Sequence, residues 1–180
     1  MMQQSAPAIL VAMPNLNDTY FHHSVILLCE YSEETAFGVM INRPTPFKTE
    51  DFLTGDPRLI SAAPDTFLEG GPVQREFLWG VHSPDFNGES TTAVTPTLSM
   101  SSVQELLGAF AAGAGPSNCH MGFGYAGWGP GQLDREIREG AWWLAPLETG
   151  LVLKMPYAKR WDAVIQSLGF NPMNALPISH

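Results

Sequence analysis

The run Val25-Ile-Leu-Leu-Cys29 constrains the fold more than any other stretch, because its unbroken apolar residues are stopped at once by Glu30 and the polar segment Tyr31-Ser-Glu-Glu-Thr35. It is short for a helix, and it lacks the alternation of a strand with one wet face. It therefore predicts a strand, Val25 to Glu30, covered on both faces. A second β-like run, Phe37 to Ile41, follows the polar segment, and the pair predicts a hairpin. Ile9 to Met13, closed by Pro14, supplies a third strand ahead of them.

After these strands the punctuation changes. The dipeptide Arg43-Pro44 removes a backbone donor and predicts that the strand ends at Arg43. Residues 45–65 read as loop with a helical turn or two around Thr49 to Leu53, and Phe77 to His82 and Thr91 to Thr95 as further strands. Ser102-Val-Gln-Glu105 has the form of a capping box and opens a helix with Val103, Leu106, Leu107, Phe110 and Ala111 on one stripe, ended by Gly113. A last helix sets Trp161, Val164, Ile165 and Leu168 on one side, with Gly169 as its stop. Hairpins mixed with longer crossovers predict an α/β fold, a mixed β-sheet with helices packed against it. At 180 residues the chain fits a single domain spanning 1–180, large enough to bury roughly 70% of the surface its unfolded form exposes.

The segment Gly122-Phe-Gly-Tyr-Ala-Gly127 carries the Gly-x-Gly-x-x-Gly spacing of a dinucleotide-binding turn, and Glu148 falls about 20 positions further on, where a ribose ligand is wanted. That fingerprint needs a tight turn after a strand. Here Phe123, Tyr125 and Ala126-Gly-Trp128 read as extended chain running through the supposed turn. The helix is expected later, with Gly129 as cap and Pro130 at its first position, where Leu133 and Ile137 face inward. Asp134 and Glu136 would already complement its positive end. Tyr125, Gly127, Trp128, Gly129, Pro130, Gly131 and Gln132 thus read as a structural motif, and no nucleotide or other cofactor is assigned.

Charge narrows the partners. The chain carries a net charge of −9 and its nine lysines and arginines are scattered, which disfavours direct nucleic-acid binding. The first basic residue is Arg43 and no apolar run approaches the ~20 residues of a membrane span, so a cytoplasmic protein with reduced Cys29 and Cys119 is expected.

The segment Tyr125-Ala-Gly-Trp-Gly-Pro-Gly-Gln-Leu133, followed by Glu136-Ile137 and Trp142, resembles the signature of the AlgH/YqgE family of uncharacterised bacterial proteins. The likeness runs along nearly the whole chain and includes Met13-Pro14, Asp18, Phe21, Ser24-Val25, Gly38, Ile41-Asn-Arg-Pro44, Gly70-Gly-Pro-Val73, Leu78, His82, Trp161 and Leu168-Gly169. Asp134 stands where the family often has glutamate and Trp143 where leucine is usual. The resemblance implies a mixed sheet curled into a partial barrel and flanked by helices, cytoplasmic residence and a possible regulatory role. It implies no settled reaction, cofactor or ligand.

Candidate sites follow from residue chemistry. No Gly-x-Ser-x-Gly elbow, Cys-x-x-Cys pair or His-x-x-x-His spacing occurs, so no catalytic residue and no metal site is assigned. Ser24 beside His22-His23 is a strand-opening polar cluster in preference to a triad. Arg43, between Asn42 and Pro44, is expected either to pair with a carboxylate such as Asp18 or to face a crevice and receive an anion. Gly70-Gly71 either forms a turn with positive φ or lets a ligand approach the backbone. The leading expectation is a non-enzymatic protein that binds a protein partner or small ligand in a crevice near Asp18, Asn42, Arg43, Gly70, Gly71 and His82. One alternative is a hydrolase-like enzyme using His22, His23 or His82 with Asp18; another is a transcriptional regulator contacting DNA.

Overall fold

The computed structural model describes residues 6–51, 63–171 and 176–177. Strand β1 (Ala8–Ala12) pairs antiparallel with β2 (Val25–Tyr31), and β2 with β3 (Ala36–Met40), forming the expected hairpin and its leading strand. The apolar runs are covered on both sides because alternate residues feed separate cores. Ile9, Val11, Val25, Leu27, Val39 and Ile41 pack with Leu151, Val152, Trp161, Val164 and Ile165. Leu10, Ala12, Ile26, Leu28 and Met40 pack with Trp128, Leu133 and Trp142.

The remaining strands are β4 (Pro44–Lys48), β5 (Thr66–Glu69), β6 (Val73–His82), β7 (Thr92–Thr95), β8 (Leu98–Ser101), β9 (Cys119–Trp128) and β10 (Trp142–Ala145). The main sheet runs β10-β1-β2-β3-β9-β6-β8-β7, and β5 joins β9 in parallel while carrying β4 on its other side. That parallel pair makes the sheet mixed. Strand β9 is the seam: its C-terminal end pairs with β3 and the rest with β5 and β6. The sheet curls into a half-barrel flanked by helices α1 (Val103–Ala111), α2 (Gln132–Arg138), α3 (Thr149–Leu153) and α4 (Tyr157–Ser167). A short ladder of β11 (Phe170–Asn171) and β12 (Leu176–Pro177) follows.

Three expectations are corrected by these contacts, and a fourth is met as far as the described residues reach. Strand β3 does end before Arg43, at Met40, but the segment after it is not all loop: Pro44 opens β4, where its missing donor costs little because β4 is an edge strand that pairs only with β5. The turn expected over Thr49 to Leu53 begins as a 3-10 turn at Thr49–Asp51, and Phe52 and Leu53 lie outside the described residues. The capping box is only half made. Ser102 Oγ accepts the Glu105 amide at 3.2 Å, but the Glu105 carboxylate receives the amides of Glu89 and Ser90 instead of the cap's own. Helix α2 starts later than expected, with Gly131 as cap at φ 71, while Gly129 and Pro130 form the preceding turn. The helix has no side-chain cap; Gln132 Oε1 instead accepts the Gly129 amide at 3.0 Å and closes the turn that precedes it.

Candidate functional site

Asp18, Asn42 and Arg43 act together, though not as an ion pair. Asp18 Oδ1 accepts the amides of Tyr20 and Phe21 at 2.8 and 3.1 Å. Arg43 donates to the carbonyls of Tyr20 and His22 at 2.8 and 3.0 Å, so its charge staples the 18–24 loop without meeting the Asp18 carboxylate. Asn42 closes the same loop, accepting from the Val25 amide and donating to the His23 carbonyl. Gly70 and Gly71 have no positive φ; they are glycines because β9 passes against them. A Cβ on Gly71 would stand 2.0 Å from the Tyr125 carbonyl carbon, and one on Gly70 2.4 Å from the Gly124 oxygen.

The stapled loop delivers one side chain to a distant place. Tyr20 donates its hydroxyl to Glu69 Oε2 at the end of β5, and burial followed by this carboxylate raises the phenol well above its ordinary range, so it stays the donor. Glu69 Oε1 in turn accepts Arg75 Nη2 at 3.3 Å. The guanidinium of Arg75 then lies over the Phe123 ring, 5.3 Å from its centroid.

Arg75 reaches that position through a break in β6. Val73 pairs with Tyr125 and Leu78 with Phe123, so the intervening residues loop out of register, and Gln74 takes φ 45, a conformation unusual for a residue with a side chain. The loop throws Phe77 and Leu78 outward, at 43% and 48% exposure. Beneath it lies a cleft of about 330 Å³ lined by Phe47, Phe67, Leu78, Val103, Leu107 and Phe123, with Arg75 the one charged group on its wall among the described residues. Phe47, 52% exposed on the edge strand β4, meets Phe123 edge-on at 5.7 Å. Exposed aromatics gathered around one concave apolar surface are the usual signature of a binding site.

The histidines of the enzyme alternative are divided: His22 shares a shallow surface pocket with Asp18, while His82 lies elsewhere in the interior. His82 is fully buried, with Nδ1 2.7 Å from the Ser83 carbonyl and Nε2 2.7 Å from Ser101 Oγ. His22 stacks on His23 at 3.8 Å, and His23 on Trp161 at 3.7 Å. Burial first, then His22, lower the His23 pKa. Ser24 is fully buried and its hydroxyl has no partner, so no base stands beside it. Cys29 and Cys119 are free, and burial pushes both thiols up to about 12, away from the reactive thiolate. Among the described residues no three His, Cys, Asp or Glu side chains gather to hold a metal ion.

The glycine motif is extended chain for most of its length. Tyr125, Gly127 and Trp128 lie on β9, which runs unbroken through the place where a phosphate turn would sit. Gly122 lies against Trp79, and Gly124, at φ 72, lies against the Gly71 oxygen. The acids of α2 are also occupied: Tyr31 donates to Asp134, and Glu136 Oε1 accepts both Trp128 Nε1 and Trp142 Nε1, at 3.1 and 2.9 Å.

The family model described as AlgH-like, DUF179, matches residues 9–173. The chain belongs to the AlgH-like family. A UPF0301 protein of Anaeromyxobacter dehalogenans is 38% identical over 180 residues, covering 95% of this chain and 91% of the relative. A UPF0301 protein of Shewanella woodyi is 34% identical, covering 91% and 90%. The solution structure of AlgH from Pseudomonas aeruginosa superposes with a TM-score of 0.73 at 31% identity, covering 99% of this chain and all of that one. A crystal structure of a Corynebacterium diphtheriae protein gives 0.72 at 25% identity, covering 97% and 92%.

Within this AlgH-like chain, the cleft residues Phe47, Arg75 and Phe123, and Glu69 that holds Arg75, were not among the candidate site residues read from sequence. One signal was present: Phe77-Leu78 are adjacent and apolar inside an expected strand, so a regular pleat cannot turn both inward. None of the residues expected to line a crevice, Asp18, Asn42, Arg43, Gly70, Gly71 and His82, is on the wall of this cleft; Asp18, Asn42 and Arg43 instead fix the 18–24 loop, and His82 is buried against Ser101.

Proposed function

We propose that this protein acts by binding and not by catalysis, holding a small ligand or the side chains of a protein partner in the apolar cleft beneath the β6 bulge. The carrying observation is the convergence of Phe47, Leu78 and Phe123 on that cleft, with Phe47 and Leu78 about half exposed. Chemical groups elsewhere are committed to the fold: Arg43 and Asn42 to loop carbonyls, His82 to Ser101, and Glu136 to two indoles. Cytoplasmic residence goes with this reading, supported by two free thiols, and so does a regulatory role exercised through what the cleft holds. Among the described residues no helix is long and apolar enough to cross a membrane.

The test is uptake of 1-aminoanthracene, a neutral apolar fluorophore. Saturable binding by the wild type that is lost in Leu107→Trp, which fills the cleft, supports the reading. Absence of saturable uptake by the wild type, or equal uptake by the variant, overturns it.

A further inference from the structure

The cleft carries more information than its apolar wall. Its volume of about 330 Å³ lies at the small end of ligand pockets, which span roughly 300–1,000 Å³. It suits one compact body. Arg75 is 58% exposed at its side chain, and its only hydrogen bond among the described residues is the one to Glu69 Oε1. A guanidinium has five N–H groups, so most of its fork is left for a visitor. Glu69 meets it through one oxygen only, at 3.3 Å, while Tyr20 donates to the other oxygen and holds that carboxylate in place.

Position matters as much as charge. Arg75 is held between the Phe123 ring and Glu69, so its fork is fixed before anything binds. Glu69 is fixed by Tyr20, and Tyr20 by Asp18 and Arg43. In a chain of net charge −9, a prearranged cation on the wall of an apolar cleft selects for an apolar tail that ends in an anion. An anionic bilayer is a poor candidate for the same reason, since the rest of the surface would repel it.

We infer that the ligand is a small amphiphilic carboxylate whose tail lies among Phe47, Leu78, Leu107 and Phe123 and whose head is received by Arg75. This rests on the binding reading given above. It assigns Arg75 as the specificity residue and Glu69 as the group that aims it and competes with the ligand for it.

The experiment displaces bound 1-aminoanthracene from the intact chain with octanoate or with octan-1-ol, which share a tail and differ in the head. Octanoate should compete about tenfold more strongly, as one charge-assisted contact provides. Arg75→Met keeps the stem over Phe123 and should bring the ratio to about one, while Glu69→Gln should strengthen octanoate several-fold and leave octan-1-ol unchanged. Thermal melts of both variants check that they fold. Equal displacement by the two compounds, or an Arg75→Met ratio like that of the wild type, overturns the head-group assignment while leaving the cleft as a binding site. A peptide with an apolar C-terminal residue that outcompetes octanoate gives the site to a protein terminus and also overturns it. Failure of the fluorophore to bind at all overturns both readings.

Discussion

Arg160 and His120 share a buried corner: Nη2 of the arginine lies 3.2 Å from Nε2 of the imidazole. Arg160 is fully buried, donates to the carbonyls of Ile41 and Met155, and stacks over Tyr157, whose hydroxyl is 2.8 Å from His120 Nδ1. A protonated imidazole there would be desolvated and would face a fixed cation. Burial first, and Arg160 second, push His120 down to about 4.

The sign of the pH effect follows. Between the ordinary histidine value and about 4 the unfolded chain binds a proton that the folded chain refuses, so stability is complete above pH 6.5 and is lost as pH falls toward 4. The expected loss is on the order of 3 kcal/mol. Urea unfolding at pH 7 and pH 4.5 should show it in the wild type, and His120→Gln should flatten the difference.

A second prediction concerns Glu136, whose Oε1 accepts two indoles while Oε2 accepts Gln132 Nε2 at 2.9 Å. Glu136→Gln supplies one oxygen where two are used. Gln132 cannot turn its amide to compensate, because its own oxygen holds Gly129. A loss of about 1–2 kcal/mol in urea unfolding is expected, with a change in tryptophan fluorescence at pH 7.

The first and last glycines of the Gly-x-Gly-x-x-Gly spacing should respond unequally. A Cβ on Gly122 would lie 2.3 Å from Trp79 Cζ2 and 2.7 Å from the Leu68 oxygen, so Gly122→Ala is expected to cost about 3 kcal/mol. On Gly127 the nearest contact is an ordinary 3.4 Å to the Tyr125 ring, and Gly127→Ala should change stability by less than about 1 kcal/mol. Thermal melts that rank the two the other way would contradict the strand reading.

Much of this fold could be read from residue order because the decisive signals were local. The doubly covered strands came from unbroken apolar runs, and the α1 and α4 stripes from helical spacing. What was missed depends on pairing between distant segments. Strand β4 contains two prolines and reads as loop until β5 lies beside it. The relay from Arg43 through Tyr20 and Glu69 to Arg75 joins four separate segments that no spacing rule connects. Gly70 and Gly71 were expected to serve a positive φ or a ligand's approach, whereas the backbone that comes close to them is that of β9.

His82 and Ser101 offer a final test. Their 2.7 Å contact has the look of a base and a nucleophile, yet both residues are buried, and Thr91 Oγ1 also reaches Ser101 at 2.7 Å. Ser101→Ala should destabilise by about 1–3 kcal/mol by leaving an imidazole nitrogen unpaired. Displacement of 1-aminoanthracene by octanoate should be unaltered in this variant.

The seam strand has a consequence for how the molecule is made. A ribosome that has delivered the first fifty residues has supplied the β1–β3 hairpin unit but neither of its neighbours, since β9 and β10 arrive only with residues 119–128 and 142–145. Until then the most water-averse strands in the chain have naked flanks. Nascent chains stalled before residue 119 should therefore be the species most prone to stick to one another and to engage chaperones.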